Sequence, residues 1–161
     1  MDGVTFTDFE DRDTEWVLGA IVAGARATLT PERSGDQSEA MLLERARSDF
    51  DRYHHQAKGK DRVILAWHQG KRVGMVWITM EMLYQNPGGA WLLEVFVEPP
   101  YRRQGLAGEL MAQAEGWARE QGAGEIWLNV GGGNRKALGL YESQGFEVET
   151  MHLCKRLSPG S

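Results

Sequence analysis

A short run, Arg102-Arg103-Gln104-Gly105-Leu106-Ala107, holds the residue types that a diphosphate needs. It lies between an apolar, strand-like run, Trp91-Leu92-Leu93-Glu94-Val95-Phe96-Val97, and an amphipathic run from about Leu106 to Glu120 with helical spacing. A strand, a tight glycine-containing turn and a helix start, in that order, make an anion site. The first turn of a helix carries backbone N–H groups with no intrahelical partner, and the helix dipole adds positive potential there. Gly105 removes the side chain that would bar close approach, Ala107 is nearly as small, and Gly108 follows. Arg102 and Arg103 add cationic donors beside the turn.

The rest of the chain must hold that turn in place. Val4-Thr5-Phe6 reads as a short first strand, and Asp13 is placed to cap a helix through Trp16, Ile21 and Ala25. Leu29 to Gln37 reads as a polar loop, and Ser38 precedes a second helix with Met41, Leu42, Ala46 and Phe50 near helical spacing. Residues 62–68 and 73–78 are β-like and are joined by a hairpin turn at Gln69-Gly70-Lys71. Asn86-Pro87-Gly88-Gly89 turns the chain into the 91–97 strand. Beyond the 106–120 helix, Glu125 to Val130 is a strand, Gly131-Gly132-Gly133 a loop, and Asn134 starts a helix ending near Gly145. Phe146-Glu147-Val148 and His152 to Arg156 read as two closing β segments. A meander followed by β-α-β-α-β implies an α/β (α+β) chain with a mixed sheet and helices on both faces. The strands at 91–97 and 125–130, joined by one helix, are expected to be parallel. With no repeat and no linker in view, residues 1–161 are expected to form a single domain.

Composition narrows the class. The apolar content of 42% suffices for a core. A net charge of −5 with no long basic stripe argues against nucleic acid as a partner and is weakly compatible with an amine substrate. The single cysteine, Cys154, rules out an internal disulfide framework and suits a reducing cytoplasm. No apolar run approaches the ~18 residues of a membrane span, and Met1-Asp2-Gly3-Val4 lacks the features of a signal peptide. A cytoplasmic location without membrane attachment is therefore expected. His68 and His152 have no metal-like spacing, so no metal site is expected.

Two motifs then converge. Val97-Glu98-Pro99-Pro100-Tyr101-Arg102-Arg103-Gln104-Gly105-Leu106-Ala107 resembles the acetyl-CoA signature of the GCN5-related N-acetyltransferase (GNAT) superfamily. Asn134-Arg135-Lys136-Ala137-Leu138-Gly139-Leu140-Tyr141-Glu142-Ser143-Gln144-Gly145-Phe146 resembles that family's second signature. The resemblance covers roughly the last ~75 residues well and the first half only by element order. It implies a mixed, mostly antiparallel central sheet with a parallel, splayed strand pair at the acetyl-CoA site. It further implies an acetyl-CoA-dependent N-acetyltransferase in which a primary amine attacks the thioester directly.

On this resemblance, Arg103, Gln104, Gly105, Leu106, Ala107 and Gly108 would wrap the coenzyme diphosphate through backbone N–H groups, with Arg102 beside them. Val95, Phe96 and Val97 would offer backbone groups to the pantetheine arm, one N–H holding the developing oxyanion. Under the plain alternative they are a buried strand. Asn134 would cap its helix, hydrogen-bond the pantetheine, or do both. Tyr141 lies about two turns beyond Asn134 and can face the same cleft. A phenol of pKa near ~10 can donate to a leaving thiolate, whereas the plain reading packs Tyr141 beside Leu140 and Phe146. Glu94 is the acidic residue of the 91–97 strand and can take the proton an ammonium acceptor must lose; otherwise it is solvent-facing or salt-bridged. In an alternating strand it shares a face with Phe96. His54 and His55 either line the acceptor pocket or are surface residues.

Acetyl-CoA is thus the expected co-substrate, and the acceptor is expected to be a small-molecule or peptide amine. Dimers are common among relatives, which keeps a homodimer open. The first two helices and the 82–90 loop would shape the acceptor pocket. An alternative from another class is a non-catalytic acyl-CoA-binding or regulatory module that keeps the coenzyme site without turnover.

Overall fold

The structure is a computed structural model that describes residues 1–30, 33, 35, 37–81, 88–155 and 157. Five strands form one sheet in chain order: β1 (Val4–Asp8), β2 (Asp61–His68), β3 (Lys71–Thr79), β4 (Ala90–Val97) and β5 (Ile126–Leu128). The first four pair antiparallel, and β4 and β5 pair parallel as expected. Gln69 and Gly70, at φ of +50° and +73°, supply the left-handed pair that joins β2 to β3. That geometry matches the twist of the strands it connects.

Among the described residues, four α-helices flank the sheet: α1 (Thr14–Thr28), α2 (Glu39–Phe50), α3 (Leu106–Glu120) and α4 (Arg135–Ser143). The alternation of β2 and β3 sends their side chains to two cores. Val63, Leu65, Met75 and Trp77 meet Val17, Leu18 and Val22 of α1 and Leu42, Ala46 and Phe50 of α2. Ile64, Ala66, Val76 and Ile78 meet Leu106, Leu110, Ala114 and Trp117 of α3 on the opposite face. Each such large side chain contributes about 1.5–3 kcal/mol when fully buried.

Of the two expected caps, Ser38 caps its helix with its side chain, whereas Asp13 stands at the N-cap position of α1 but turns its carboxylate elsewhere. Ser38 Oγ accepts from the Met41 N–H at 3.2 Å at the start of α2. Glu10 and Asp13 bracket a short turn ahead of α1, with the Glu10 N–H donating to Asp13 Oδ2 at 2.9 Å. Asp13 is 1% exposed, and its Oδ1 also accepts from Arg72 Nε and Nη2 on β3, at 2.8 and 2.6 Å. The start of α1 is thereby bolted to the sheet. Removing Arg72 would leave the buried Asp13 carboxylate without its cation.

Two expectations need correction. The strand expected over 125–130 is paired only over residues 126–128. The two closing β segments at 146–148 and 152–156 are not formed: residues 146–155 and 157 are irregular, and 156 lies outside the described residues. Val148, Met151, Leu153 and Leu157 are exposed there. Three residues of β5 give too short an edge to template a ladder for them. Cys154, within the second of these segments, is exposed.

Candidate active site

β4 is interrupted where the site begins. Its register with β3 runs Ile78↔Leu92 and then Trp77↔Glu94, so Leu93 is an extra residue bulged out of the ladder. Parallel pairing with β5 stops at the same place: Ala90, Trp91 and Leu92 pair with Ile126, Trp127 and Leu128, and residues 93–97 have no β5 partner. A bulge bends and twists its strand, which opens a wedge between β4 and β5. Val95, Phe96 and Val97 line its β4 side; Val97 is buried, and Val95 and Phe96 are partly buried.

At the end of the wedge, Pro99–Tyr101 form a single 3-10 turn, and the chain then reverses through two left-handed residues, Arg103 at φ +63° and Gly105 at +83°. Gly105 is the N-cap of α3, and no side chain caps the helix. The N–H groups of Leu106, Ala107 and Gly108 therefore begin a helix whose cap residue offers them no acceptor. Nothing stands within 4 Å of where a Gly105 Cβ would be. The Leu106 side chain is buried in the core and anchors the first turn of α3. Arg103 and Gln104 are exposed, the latter donating from Nε2 to the Pro100 carbonyl at 3.1 Å. Arg102 is turned back on the strand: its Nε donates to the Val97 carbonyl at 2.8 Å and its guanidinium lies 6.0 Å from the Phe96 ring centre. It clamps the turn to β4.

Asn134 is the N-cap of α4, its Oδ1 accepting from the Ala137 N–H at 3.2 Å. This use of the oxygen leaves the side-chain NH₂ available as a donor. Tyr141 sits two turns later, partly buried and edge-on to Phe146 at 5.7 Å. Burial and the nearby Glu94 charge push its phenol up to about 12. Tyr141 is therefore neutral at any physiological pH and is a weaker acid than a free phenol.

Glu94 is on the α1 face of β4 with Phe96, beside its cross-strand neighbour Trp77. Burial pushes its carboxyl up to about 8, opposed by a hydrogen bond with the Val95 backbone. It makes no salt bridge among the described residues. Glu94 and Tyr141 come from separate segments, and the charge of one is felt by the other.

His54 and His55 lie in the turn Asp51–His55 that follows α2. His54 Nδ1 is 2.8 Å from Asp61 Oδ2, which also accepts from Trp77 Nε1 at 2.8 Å, and its ring stacks on Phe50 at 4.7 Å. His54 thus braces the corner between α2 and β2. Residues 82–87, most of the loop expected to shape the acceptor pocket, lie outside the described residues. No group of three or more His, Cys, Asp or Glu among the described residues could hold a metal ion, and no described helix is long and apolar enough to cross a membrane.

A splayed parallel pair, a glycine-capped helix start and a capped second helix define a class. The sequence profile of the Acetyltransferase (GNAT) family matches residues 19–146, and the chain belongs to that family. It is 37% identical over 62 residues to the ribosomal protein bS18-alanine N-acetyltransferase of Escherichia coli strain K12, a match covering 38% of this chain and 42% of that enzyme. The chain thus spans less than half the length of the curated relative it matches. A GCN5-related N-acetyltransferase from Ralstonia eutropha has the same fold, with a TM-score of 0.73 at 19% identity over 96% of this chain and 99% of that one. So does the PaiA N-acetyltransferase of Thermoplasma acidophilum, solved in complex with coenzyme A, with a TM-score of 0.71 at 18% identity over 92% of each chain.

Sequence reasoning missed three contacts. A Cβ on Gly24 of α1 would fall on the Glu94 carboxyl, and one on Gly131 would lie 3.2 Å from the Thr28 carbonyl. The side-chain amide of Gln144 stands over Gly108, 3.6 Å from where its Cβ would be. The available signal for the first was a glycine inside an otherwise apolar helical run, a residue that helices disfavour.

Proposed function

We propose that this protein is an acetyl-CoA-dependent N-acetyltransferase that transfers the acetyl group directly to a primary amine. The observation that supports the reading is that pairing of β4 with β5 stops at the Leu93 bulge, next to Glu94, with the uncapped start of α3 following the end of β4. The residues fit the coenzyme, because the Gly105 cap leaves open space and three helix-start N–H groups where a diphosphate would bind. Bound acetyl-CoA supplies the activated acetyl group.

The chain's own residues do the rest. Main-chain groups of Arg103 to Gly108 hold the diphosphate, with Arg102 steadying the turn. Val95, Phe96 and Val97 align the pantetheine arm along the open edge of β4, and one of their N–H groups stabilises negative charge on the thioester oxygen. The Asn134 amide steadies the arm from the other side. Glu94 accepts the proton released by the ammonium acceptor, directly or through water. A carboxyl raised to about 8 is better matched to that proton than an ordinary one. Tyr141 donates to the sulfur as the C–S bond breaks and the N–C bond forms. Holding both reactants in one cleft supplies most of the acceleration.

The relatives support an amine acceptor, whether the N-terminus of a protein or a small molecule. The same reading takes residues 1–161 as one catalytic domain. The test is release of free thiol from acetyl-CoA across a panel of aminoglycosides, amino acids, alanine-terminated peptides and lysine peptides. Amine-dependent release is expected. Tight coenzyme binding with no release on any amine would favour the non-catalytic module instead.

A further inference from the structure

Glu94 has an unusual roof. α1 contains two glycines, Gly19 and Gly24, in the same helical run. Gly19 faces solvent, and a Cβ there would meet nothing within 4 Å. A Cβ on Gly24 would lie 2.6 Å from Glu94 Oε2 and 2.7 Å from Cδ, and closer still to Oε1. Those separations are shorter than carbon and oxygen tolerate without bonding, so the carboxyl occupies the space where any other residue's side chain would begin.

We propose that Gly24 is a positioning residue for acetyl transfer: its bare backbone roofs a slot that holds the Glu94 carboxyl between α1 and the β4 bulge, facing the wedge. The inference rests on the reading of Glu94 as the base. The roof is fixed at both ends. The Asp13–Arg72 pair ties the start of α1 to β3, and at its other end a Cβ on Gly131, just beyond β5, would stand 3.2 Å from the Thr28 carbonyl, which leaves little room there. α1 therefore cannot lift to admit a side chain without loosening both contacts. The slot is also short of charge. β3 presents Trp77, β5 carries no charged residue, and Glu15 and Arg26 of α1 are exposed and paired with Arg47 and Glu39. Tyr141 of α4 is the titratable group that feels Glu94.

Gly24→Ala is an informative change because it should fold. Alanine is favoured over glycine inside a helix, and the atoms it displaces are the free end of a side chain. The carboxyl then rotates toward water, where its charged form is easier to hold. Gly19→Ala is the matched control. The experiment is a carboxyl-carbon NMR titration of glutamate-labelled protein without substrates, with Glu94 assigned by its loss in Glu94→Gln, followed by kcat/KM against pH. The Glu94 midpoint is expected near about 8 in the parent, at least about one unit lower in Gly24→Ala, and unchanged in Gly19→Ala. The rising limb of kcat/KM is expected to move with it, its plateau dropping about tenfold. An unmoved Glu94 midpoint in Gly24→Ala overturns the slot, whatever the activity. A midpoint that moves while the rate profile stays fixed overturns the role in transfer by removing Glu94 as the base.

Discussion

The two ends of the proposed site are made in opposite ways. At the far end of β4, the turn from Arg102 to Gly108 is built from consecutive residues, and what it offers is main chain: a left-handed glycine cap and three N–H groups. At the bulge, Glu94 offers a side chain whose character is set by α1, a helix far from it in sequence, and by the glycine that leaves it room. A site made of backbone tolerates most side-chain changes and fails only where geometry demands glycine. A site made of a buried side chain fails whenever its surroundings change. The contrast teaches that binding and chemistry can be lost separately here.

The largest effect is expected from breaking the turn. Valine at position 105 would be forced to the left-handed φ of +83° now held by glycine, which a β-branched residue rarely adopts. Coenzyme affinity by calorimetry should fall about a hundredfold, in line with about 1–3 kcal/mol of strain plus a blocked approach. Unchanged affinity would remove the diphosphate site. The bulge is probed next. Glu94→Gln should cut kcat about a hundredfold with coenzyme affinity within about twofold, and equal turnover would strip Glu94 of its role.

The same variant carries a stability signature. Glu94 titrates near 4.5 when unfolded and about 8 when folded. The folded state thus holds its proton longer, and stability should decline as pH rises from the first value through the second. Glutamine has no proton to lose, so Glu94→Gln should show a shallower decline in melting temperature over that window. Parallel curves would show that the carboxyl is not buried at the cost proposed. The smallest effect is expected from Tyr141→Phe, about tenfold in kcat with coenzyme affinity intact, since a phenol held at about 12 stabilises the departing sulfur more than it protonates it.

The same contrast explains what could be read from the sequence. The 102–108 turn, the capping Asn134 and the parallel 91–97 strand are local, and their residue types encode them directly. The alternation of β4 puts Glu94 on the face of Phe96, as a simple period of two requires. The Leu93 bulge is a property of two strands in register, so no feature of β4 alone marks it. The pairing of Gly24 with Glu94 needs the packed position of α1. The closing β segments failed for a related reason: apolar residues such as Phe146, Val148 and Leu153 state a preference, whereas a ladder also needs an edge long enough to receive it.

β3 is closed on both sides. Met75 and Trp77 belong to one core, Val76 and Ile78 to the other, and none is more than 3% exposed. This strand is a party wall between two rooms. A change in α1 or α2 reaches the α3 turn only by moving that wall, and a wall with no slack transmits little. The faces of α1 and α2 can therefore be remodelled one residue at a time with little disturbance of the turn ahead of α3.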